Sequence, residues 1–212
     1  MSTTILLADD HAILRQGLRR ILESYPGFEV VAEAATGVQA VDLAREFQPD
    51  VAILDVAMPE LNGLEATAQI LKRVPRTAVL ILSMYNDARY VSRALRAGAR
   101  GYLLKDSVEE DLVKAIQLAC QGKTFFSPAV ASLVEFAPGS APTVEDRYEL
   151  LTGRERQVYQ LLAEGKSNKD AANLLNLSLH TVETHRTRIM EKLDVHSPAE
   201  LVLSAVRRGL VR

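Results

Sequence analysis

The first part of the chain alternates short apolar runs with longer segments whose apolar residues recur every three or four positions. The runs are residues 5–8, 30–32, 51–54, 79–82 and 102–104. Short uninterrupted apolar runs are typical of strands buried on both faces of a parallel sheet, and the intervening spacing is that of amphipathic helices. The pattern predicts five βα units with right-handed crossovers, in about the first 120 residues.

The last part of the chain has only the helical spacing. Thr152 begins a helix that stops at Gly165, a second helix runs from about residue 168 to 175, and Ser178 begins a third. Ser197 begins the fourth, because proline and glutamate follow it at the positions that favour a helix start. Four short helices within about 64 residues predict a small all-α bundle, a size common among DNA-binding modules.

A change in composition separates these two parts. Residues 137–146 contain two prolines, a glycine and two acidic residues without apolar periodicity, which is typical of a linker. The apolar residues 125–136 before it predict a short helix packed on the first domain. We therefore predict an α/β domain over residues 1–124, a connecting helix and flexible linker over 125–148, and a helical domain over 149–212.

Composition and charge fit this division. The chain has 212 residues, 48% hydrophobic and 25% charged, with a net charge of −2, whereas residues 149–212 carry 10 basic against 8 acidic residues. Because no stretch approaches the roughly 20 apolar residues of a membrane span, we expect a soluble cytoplasmic protein without a membrane partner. The single cysteine, Cys120, excludes an internal disulfide, and its spacing from Ile116 predicts a buried apolar role.

Polar residues follow four of the five predicted strands. Because the carboxyl ends of parallel strands share one edge, a doubly wound sheet of order 2-1-3-4-5 gathers these residues where such folds bind ligands. A bound Mg²⁺ ion would relieve the repulsion among the carboxylates. The residues are Asp9, Asp10, Asp55, Ser83 and Lys105.

This residue set predicts phosphoryl chemistry. Asp55 is the candidate nucleophile for an aspartyl phosphate, Lys105 offers an ammonium to a phosphoryl oxygen, and Ser83 offers a hydrogen bond. A phosphohydrolase of the haloacid-dehalogenase type is the competing hypothesis, but it needs a second acid two residues after the nucleophile. Ala57 stands there, which favours holding a phosphoryl group over turnover of phosphomonoesters.

The segments LADDH at residues 7–11, VAILDVAMP at 51–59, LSM at 82–84 and YLLK at 102–105 resemble a response-regulator receiver domain, which has a flavodoxin-like (βα)5 fold. The resemblance implies that Asp55 is phosphorylated by a sensor histidine kinase. It also implies a switch pair, Ser83 and Tyr102, with Lys105 as the lysine that contacts the phosphoryl group. The implied Mg²⁺ ligands are Asp9, Asp10, Asp55 and the carbonyl of Ala57.

The segments LTGRER at residues 151–156, LAEGKSNK at 162–169 and TVETHR at 181–186 resemble a LuxR-type helix-turn-helix. Together with the receiver this resembles a NarL/FixJ-type regulator, a homodimer on DNA. Residues Val182, Ile189 and Leu193 are predicted to face inward, which leaves the opposite face for the major groove. The implied DNA contacts are Lys166, Lys169, Thr181, Glu183, Thr184, Arg186, Thr187, Arg188 and Lys192, and the implied dimer residues are Leu201, Val202, Ala205 and Val206.

The sequence therefore favours a non-enzymatic, sequence-specific transcription factor controlled by phosphorylation of Asp55, with promoter DNA, a sensor kinase and RNA polymerase as expected partners. Two alternatives stay open at this point. One is an Mg²⁺-dependent aspartyl-phosphate phosphotransferase or phosphatase. The other is a DNA-binding regulator that acts without phosphorylation.

Overall fold

The structure, a computed structural model, describes residues 2–135 and 147–211. The two ranges belong to two compact units. The predicted linker, residues 137–146, lies outside the described residues.

The first unit is built on a parallel sheet with the strand order β2-β1-β3-β4-β5-β6. This confirms the predicted α/β fold and its 2-1-3-4-5 order, to which a sixth strand is added. The strands are β1 (Thr3–Ala8), β2 (Phe28–Ala34), β3 (Val51–Asp55), β4 (Ala78–Ser83), β5 (Gly101–Leu104) and β6 (Phe125–Phe126), and the helices are α1 (Ala12–Ser24), α2 (Gly37–Phe47), α3 (Gly63–Arg73), α4 (Ala88–Ala97), α5 (Val108–Cys120) and α6 (Pro128–Glu135).

The helices cover both faces of the sheet, because successive strand residues point to opposite sides. Ile5 and Leu7 of β1 share a hydrophobic cluster with residues of α1 and α5, whereas Leu6 shares the cluster on the other face with residues of α2, α3 and α4. Every residue of β3 and β4 is buried. The central strands are therefore apolar along their length, and their polar side chains come only at the ends.

Side-chain caps fix where the site-forming helices begin. The Asn62 side chain accepts hydrogen bonds from the first backbone N–H groups of α3, and Asp87 does the same for α4. Gly98 ends α4 in the left-handed conformation, with φ of 96°. These caps satisfy backbone groups that have no partner within the helix.

Residues 125–136 are not a single helix as predicted. Phe125 and Phe126 form β6, because the N–H of Phe125 donates to the carbonyl of Arg100, and that of Ser127 donates to the carbonyl of Tyr102. The α6 helix begins only at Pro128. The first residues of the segment that follows this domain therefore pair with the edge of β5.

The second unit is helical, as predicted. After a 3-10 helix (Arg147–Leu150), Thr152 and Glu155 form a capping box at the start of α7, and Ser167 and Asp170 form one at the start of α8. Val182, Ile189 and Leu193 are buried, which confirms their predicted inward face. The helices are α7 (Gly153–Ala163), α8 (Asn168–Leu175), α9 (Leu179–Leu193) and α10 (Pro198–Arg207).

A second prediction about the first unit is also wrong. Cys120 is exposed, although Ile116 on the same helical stripe is fully buried. Cys120 is the last residue of α5, one turn beyond Ile116, which belongs to the hydrophobic core. Across residues 2–135 and 147–211, no helix combines the length and the apolar character needed to cross a bilayer.

Candidate phosphoacceptor site and DNA-binding surface

The carboxyl edge of the sheet brings together the acids and the lysine that the sequence placed at strand ends. The Nζ atom of Lys105 lies 2.8 Å from Oδ2 of Asp9 and 2.8 Å from Oδ2 of Asp55. All three side chains are at most 5% exposed. One buried ammonium therefore bridges two buried carboxylates that come from neighbouring strands.

Burial and charge oppose each other at Asp55. Desolvation raises the pKa of its carboxyl above the usual value, and the nearby Asp9 acts in the same direction, whereas Lys105 and the N–H of Ala57 lower it. The net result is a raised pKa. The ionised form of Asp55 is therefore less stable here than in water, and another positive charge would favour it.

Asp10 and His11 extend the acidic cluster toward solvent. The Nδ1 atom of His11 lies 3.1 Å from Oδ1 of Asp9 and 2.9 Å from Oδ1 of Asp10, whose side chain is 27% exposed. One potential ligand atom from each of Asp9, Asp10, His11 and Asp55 lies within 4.8 Å of the others. The predicted acids thus meet in one place, with an opening on one side.

The donor set fits a divalent cation. Three carboxylates face one ammonium, so a negative excess remains that a doubly charged ion would neutralise. Carboxylate oxygens with an opening to water are the ligands that Mg²⁺ prefers. Ala57 lies two residues after Asp55, in the loop that borders this cluster, and its carbonyl is the predicted remaining ligand.

The loop after β3 is held close to the backbone at the end of that strand. The N–H of Gly63 donates to the carbonyl of Val56 at 2.9 Å, and a Cβ atom at this position would lie 2.0 Å from the carbonyl oxygen of Asp55. The start of α3 therefore packs directly against the backbone of Asp55. Only a residue without a side chain allows this approach.

The predicted switch residues, Ser83 and Tyr102, interact through their hydroxyls, and both also bond a third residue that sequence reasoning missed, Tyr85. The Oγ of Ser83 accepts a hydrogen bond from the N–H of Tyr85 at 3.0 Å, and the hydroxyl of Tyr102 donates to the carbonyl of Tyr85 at 2.8 Å. Both side chains are fully buried, and burial raises the pKa of the Tyr102 hydroxyl well above its usual value. Tyr102 is thus protonated and can donate at neutral pH.

Tyr85 itself is braced by an aromatic contact. Its ring stacks on that of Tyr90 with centroids 4.5 Å apart and an interplanar angle of 8°. Tyr90 belongs to α4, so this stacking joins the β4–α4 loop to the next helix. No sequence motif marks Tyr85, because its role depends on main-chain groups that every residue except proline carries.

In the second unit, α9 has one buried face and one face that is exposed to solvent. Glu183, Thr187 and Arg188 are exposed, while Thr184 and Arg186 are half-buried. The hydroxyls of Thr184 and Thr187 donate to carbonyls one turn earlier, which leaves their oxygens able to accept. The other predicted contacts near α9 are Lys166 and Lys169, both exposed, and Thr181, whose hydroxyl bonds Ser178 at the helix start.

Lys192, predicted to contact a DNA phosphate, forms an ion pair within the helical unit. Its Nζ lies 2.6 Å from Oε2 of Glu155, which is 3% exposed and belongs to the capping box of α7. Burial raises the pKa of Glu155, but the hydrogen bonds from Lys192 and Thr152 outweigh it and lower the pKa below the usual value. Lys192 thus ties α9 to the start of α7.

We expect Lys192→Met to lower the free energy of unfolding by about 1–3 kcal/mol, because Glu155 keeps a buried charge without its cation. Exposed Lys169→Met serves as the matched control. Since the native pKa of Glu155 is lowered, the stabilisation exists above its ordinary pKa of 4.5 and is lost as the pH falls through the native value. Denaturant unfolding at neutral and acidic pH measures both effects, and equal losses at both would contradict this role.

The predicted dimer residues on α10 divide into two sets. Leu201 and Ala205 are at most 3% exposed and belong to the core of the bundle, so they are not available to a second chain. Val202 and Val206 are 36% and 45% exposed. Leu203, which the sequence reasoning did not single out, is 48% exposed beside them and completes an apolar patch.

Comparison with known proteins agrees with both regions. Residues 5–117 match the response regulator receiver domain family, and residues 149–205 match the LuxR family of bacterial regulatory proteins. The oxygen regulatory protein NreC of Staphylococcus carnosus is 41% identical over 213 residues, which cover 98% of each chain.

Solved structures of response regulators are also similar to this chain. A LuxR-family two-component response regulator from Aurantimonas sp. has a TM-score of 0.62 and 38% identity, covering 64% of this chain and 97% of that one. The response regulator RcsB of Salmonella typhimurium has a TM-score of 0.59 and 26% identity, covering 97% of this chain and 99% of its own. RcsB has also been solved as two dimers bound to two parallel DNAs.

Proposed function

Because this chain belongs to the NarL/FixJ-type response regulators, which join a receiver domain to a LuxR-type DNA-binding domain, we propose that phosphorylation of Asp55 controls its binding to promoter DNA. One observation carries this assignment. The ammonium of Lys105 bridges Asp9 and Asp55 at 2.8 Å, beside an acidic cluster that needs a further cation.

The proposed donor is a phosphohistidine on a sensor histidine kinase. A carboxylate oxygen of Asp55 attacks phosphorus, and the bond to the imidazole nitrogen breaks as the new P–O bond forms. The imidazole leaves with the electron pair and takes its proton from water. Bound Mg²⁺, held by Asp9, Asp10, Asp55 and the Ala57 carbonyl, would neutralise charge on the phosphoryl oxygens.

Lys105 and Ser83 act after the transfer in this proposal. Once Asp55 carries the phosphoryl group, Lys105 pairs with a phosphoryl oxygen while it keeps its contact with Asp9. Ser83 turns its hydroxyl from the N–H of Tyr85 toward another phosphoryl oxygen. Since Tyr85 also accepts from Tyr102, this movement alters the contact that holds the buried Tyr102 ring.

The DNA-binding surface in this proposal is the exposed face of α9. Glu183, Thr184 and Thr187 lie where they meet base edges in the major groove, and the basic residues around them neutralise phosphates. The basic residues are Lys166, Lys169, Arg186 and Arg188. Lys192 contributes by fixing α9 on α7.

One such bundle contacts a single half-site, so the proposed DNA-bound form is a two-fold dimer. The exposed patch of Val202, Leu203 and Val206 on α10 is the proposed dimer contact. RcsB, which binds DNA as dimers, supports this arrangement. Promoter DNA and RNA polymerase are cytoplasmic partners, so the proposal places the protein there.

Incubation with acetyl phosphate and Mg²⁺, followed by intact mass and DNA binding, tests the proposal. We expect the wild type to gain the mass of one phosphoryl group and to bind DNA more tightly, and Asp55→Asn to do neither. Steady hydrolysis of a phosphomonoester would instead support an enzyme. Unchanged DNA binding without a mass gain would support a regulator that does not use phosphorylation.

A further inference from the structure

An arginine on α1 reaches the main chain of the acidic cluster. Nη1 of Arg15 donates to the carbonyl oxygen of Asp9 at 2.5 Å, and its Nε lies 3.1 Å from Oε2 of Glu33 at the end of β2. The Arg15 side chain is only 18% exposed. One guanidinium therefore joins the end of β1 to the neighbouring strand, directly behind the site.

This contact acts on both metal-binding acids. The carbonyl of Asp9 belongs to the peptide that connects Asp9 to Asp10, and a peptide holds its two Cα atoms in one plane. A hydrogen bond that holds this oxygen therefore restricts the backbone orientation of both Asp9 and Asp10. The remaining groups of Asp9 are also held: its N–H donates to Ala34, and its carboxylate accepts from the N–H of His11 and contacts Lys105.

From this geometry we infer that Arg15 is a positioning residue for Mg²⁺, and that Glu33 holds Arg15 in place. The inference rests on the proposed function, because it concerns the same cation. Mg²⁺ demands nearly ideal octahedral geometry, so a small rotation of the peptide between Asp9 and Asp10 weakens its binding. Groups that orient metal ligands from behind commonly change affinity by about 10- to 100-fold when they are removed.

The direction in which Mg²⁺ affinity changes when Arg15 is removed distinguishes a positioning role from the effect of its charge. Arg15 is a cation beside a cation site, so as a charge alone it repels Mg²⁺, and its removal would tighten binding. As a positioning residue it orders the ligands, and its removal weakens binding. Arg19 is the matched control, because its Nη1 contacts the other oxygen of Glu33 at 2.5 Å while its Nε bonds Glu23.

Calorimetric titration of the full-length chain with MgCl₂ at constant ionic strength measures the Kd. We expect Arg15→Ala to raise the Kd for Mg²⁺ by about 10-fold, and Arg19→Ala to change it less than about 2-fold. Arg15→Lys keeps the charge but loses the two-pronged contact, and we expect it to resemble Arg15→Ala. Glu33→Ala should raise the Kd by an intermediate factor.

Phosphorylation by acetyl phosphate gives a second readout. For Arg15→Ala the Mg²⁺ concentration that gives half the maximal rate should rise with the Kd, while the rate at saturating Mg²⁺ stays near that of the wild type. Unfolding midpoints in EDTA establish that the variants are folded.

An unchanged or lower Kd for Arg15→Ala, with normal Mg²⁺ binding by the wild type, overturns the inference and leaves the proposed function intact. An equal rise for Arg15→Ala and Arg19→Ala also overturns it, because the contact with Asp9 would then be irrelevant. A wild type that binds no Mg²⁺ overturns both the inference and the proposed cofactor.

Discussion

Replacing Lys105 with methionine is expected to lower the free energy of unfolding by about 3–5 kcal/mol at neutral pH in EDTA. The ammonium lies 2.8 Å from both Asp9 and Asp55, and all three side chains are nearly inaccessible to water. Methionine fills a similar volume but leaves two buried carboxylates facing each other without a cation. Denaturant unfolding of wild type and variant measures the loss.

Two conditions should reverse part of that loss. Mg²⁺ supplies positive charge to the same carboxylates, so it should stabilise Lys105→Met more than the wild type. Lys105 also lowers the pKa of Asp55, so its removal raises that pKa further. A carboxyl whose native pKa is raised destabilises the fold when ionised. This penalty begins to decrease as the pH falls through the native pKa and is gone below the pKa of the unfolded state.

Lys72→Met is the control for this experiment, because Lys72 is exposed near the end of α3. We expect it to change the free energy of unfolding by no more than about 0.5 kcal/mol. Similar losses in the two variants, or a loss at Lys105 that persists unchanged in acid, would show that the buried ammonium does not neutralise the acids.

Gly63→Ala is expected to destabilise the first unit by about 3 kcal/mol and to slow phosphorylation of Asp55 by about 100-fold. The added Cβ would lie 2.0 Å from the carbonyl oxygen of Asp55, so either α3 or β3 must move. The Asn62 cap and the hydrogen bond from Gly63 to Val56 hold the helix start where it is. The displaced atoms therefore include the backbone of the acceptor.

The chain offers a matched control at Gly17, within α1. A Cβ atom built there has no neighbouring atom within 4 Å. Because alanine favours a helix interior over glycine, we expect Gly17→Ala to stabilise the protein by about 0.5–1 kcal/mol and to leave phosphorylation unchanged. If Gly63→Ala behaved like Gly17→Ala, the close approach of α3 to Asp55 would not matter for the site.

The acidic site could be predicted because it depends on where strands end. Asp9, Asp55 and Lys105 each follow an apolar run. Parallel strands place their carboxyl ends at one edge of the sheet, and this does not depend on how the helices pack. Lys192 shows the limit of this reasoning. Its partner Glu155 lies 37 residues earlier in the chain, and no local pattern relates the two.

The exposed apolar patch on α10 shows a second limit. The apolar residues of α10 come as a run of three followed by a pair, so the sequence defines a broad stripe but not which half of it faces the bundle. That choice depends on the helices that pack against it, and they cover Leu201 and Ala205 while leaving Val202 and Val206 in solvent. The short β6 was missed for a related reason: two phenylalanines form a strand only because β5 lies beside them.

The pairing of β6 with β5 also affects how the sheet meets other chains. An open strand edge presents unpaired N–H and C=O groups, which recruit strands from neighbouring molecules and lead to aggregation. Phe125 and Phe126 pair with that edge opposite Gly101 and Tyr102, so the outer strand on this side is only two residues long, and such a short edge offers little backbone to a neighbouring strand. The segment that leaves the receiver thus also protects it from self-association through its sheet.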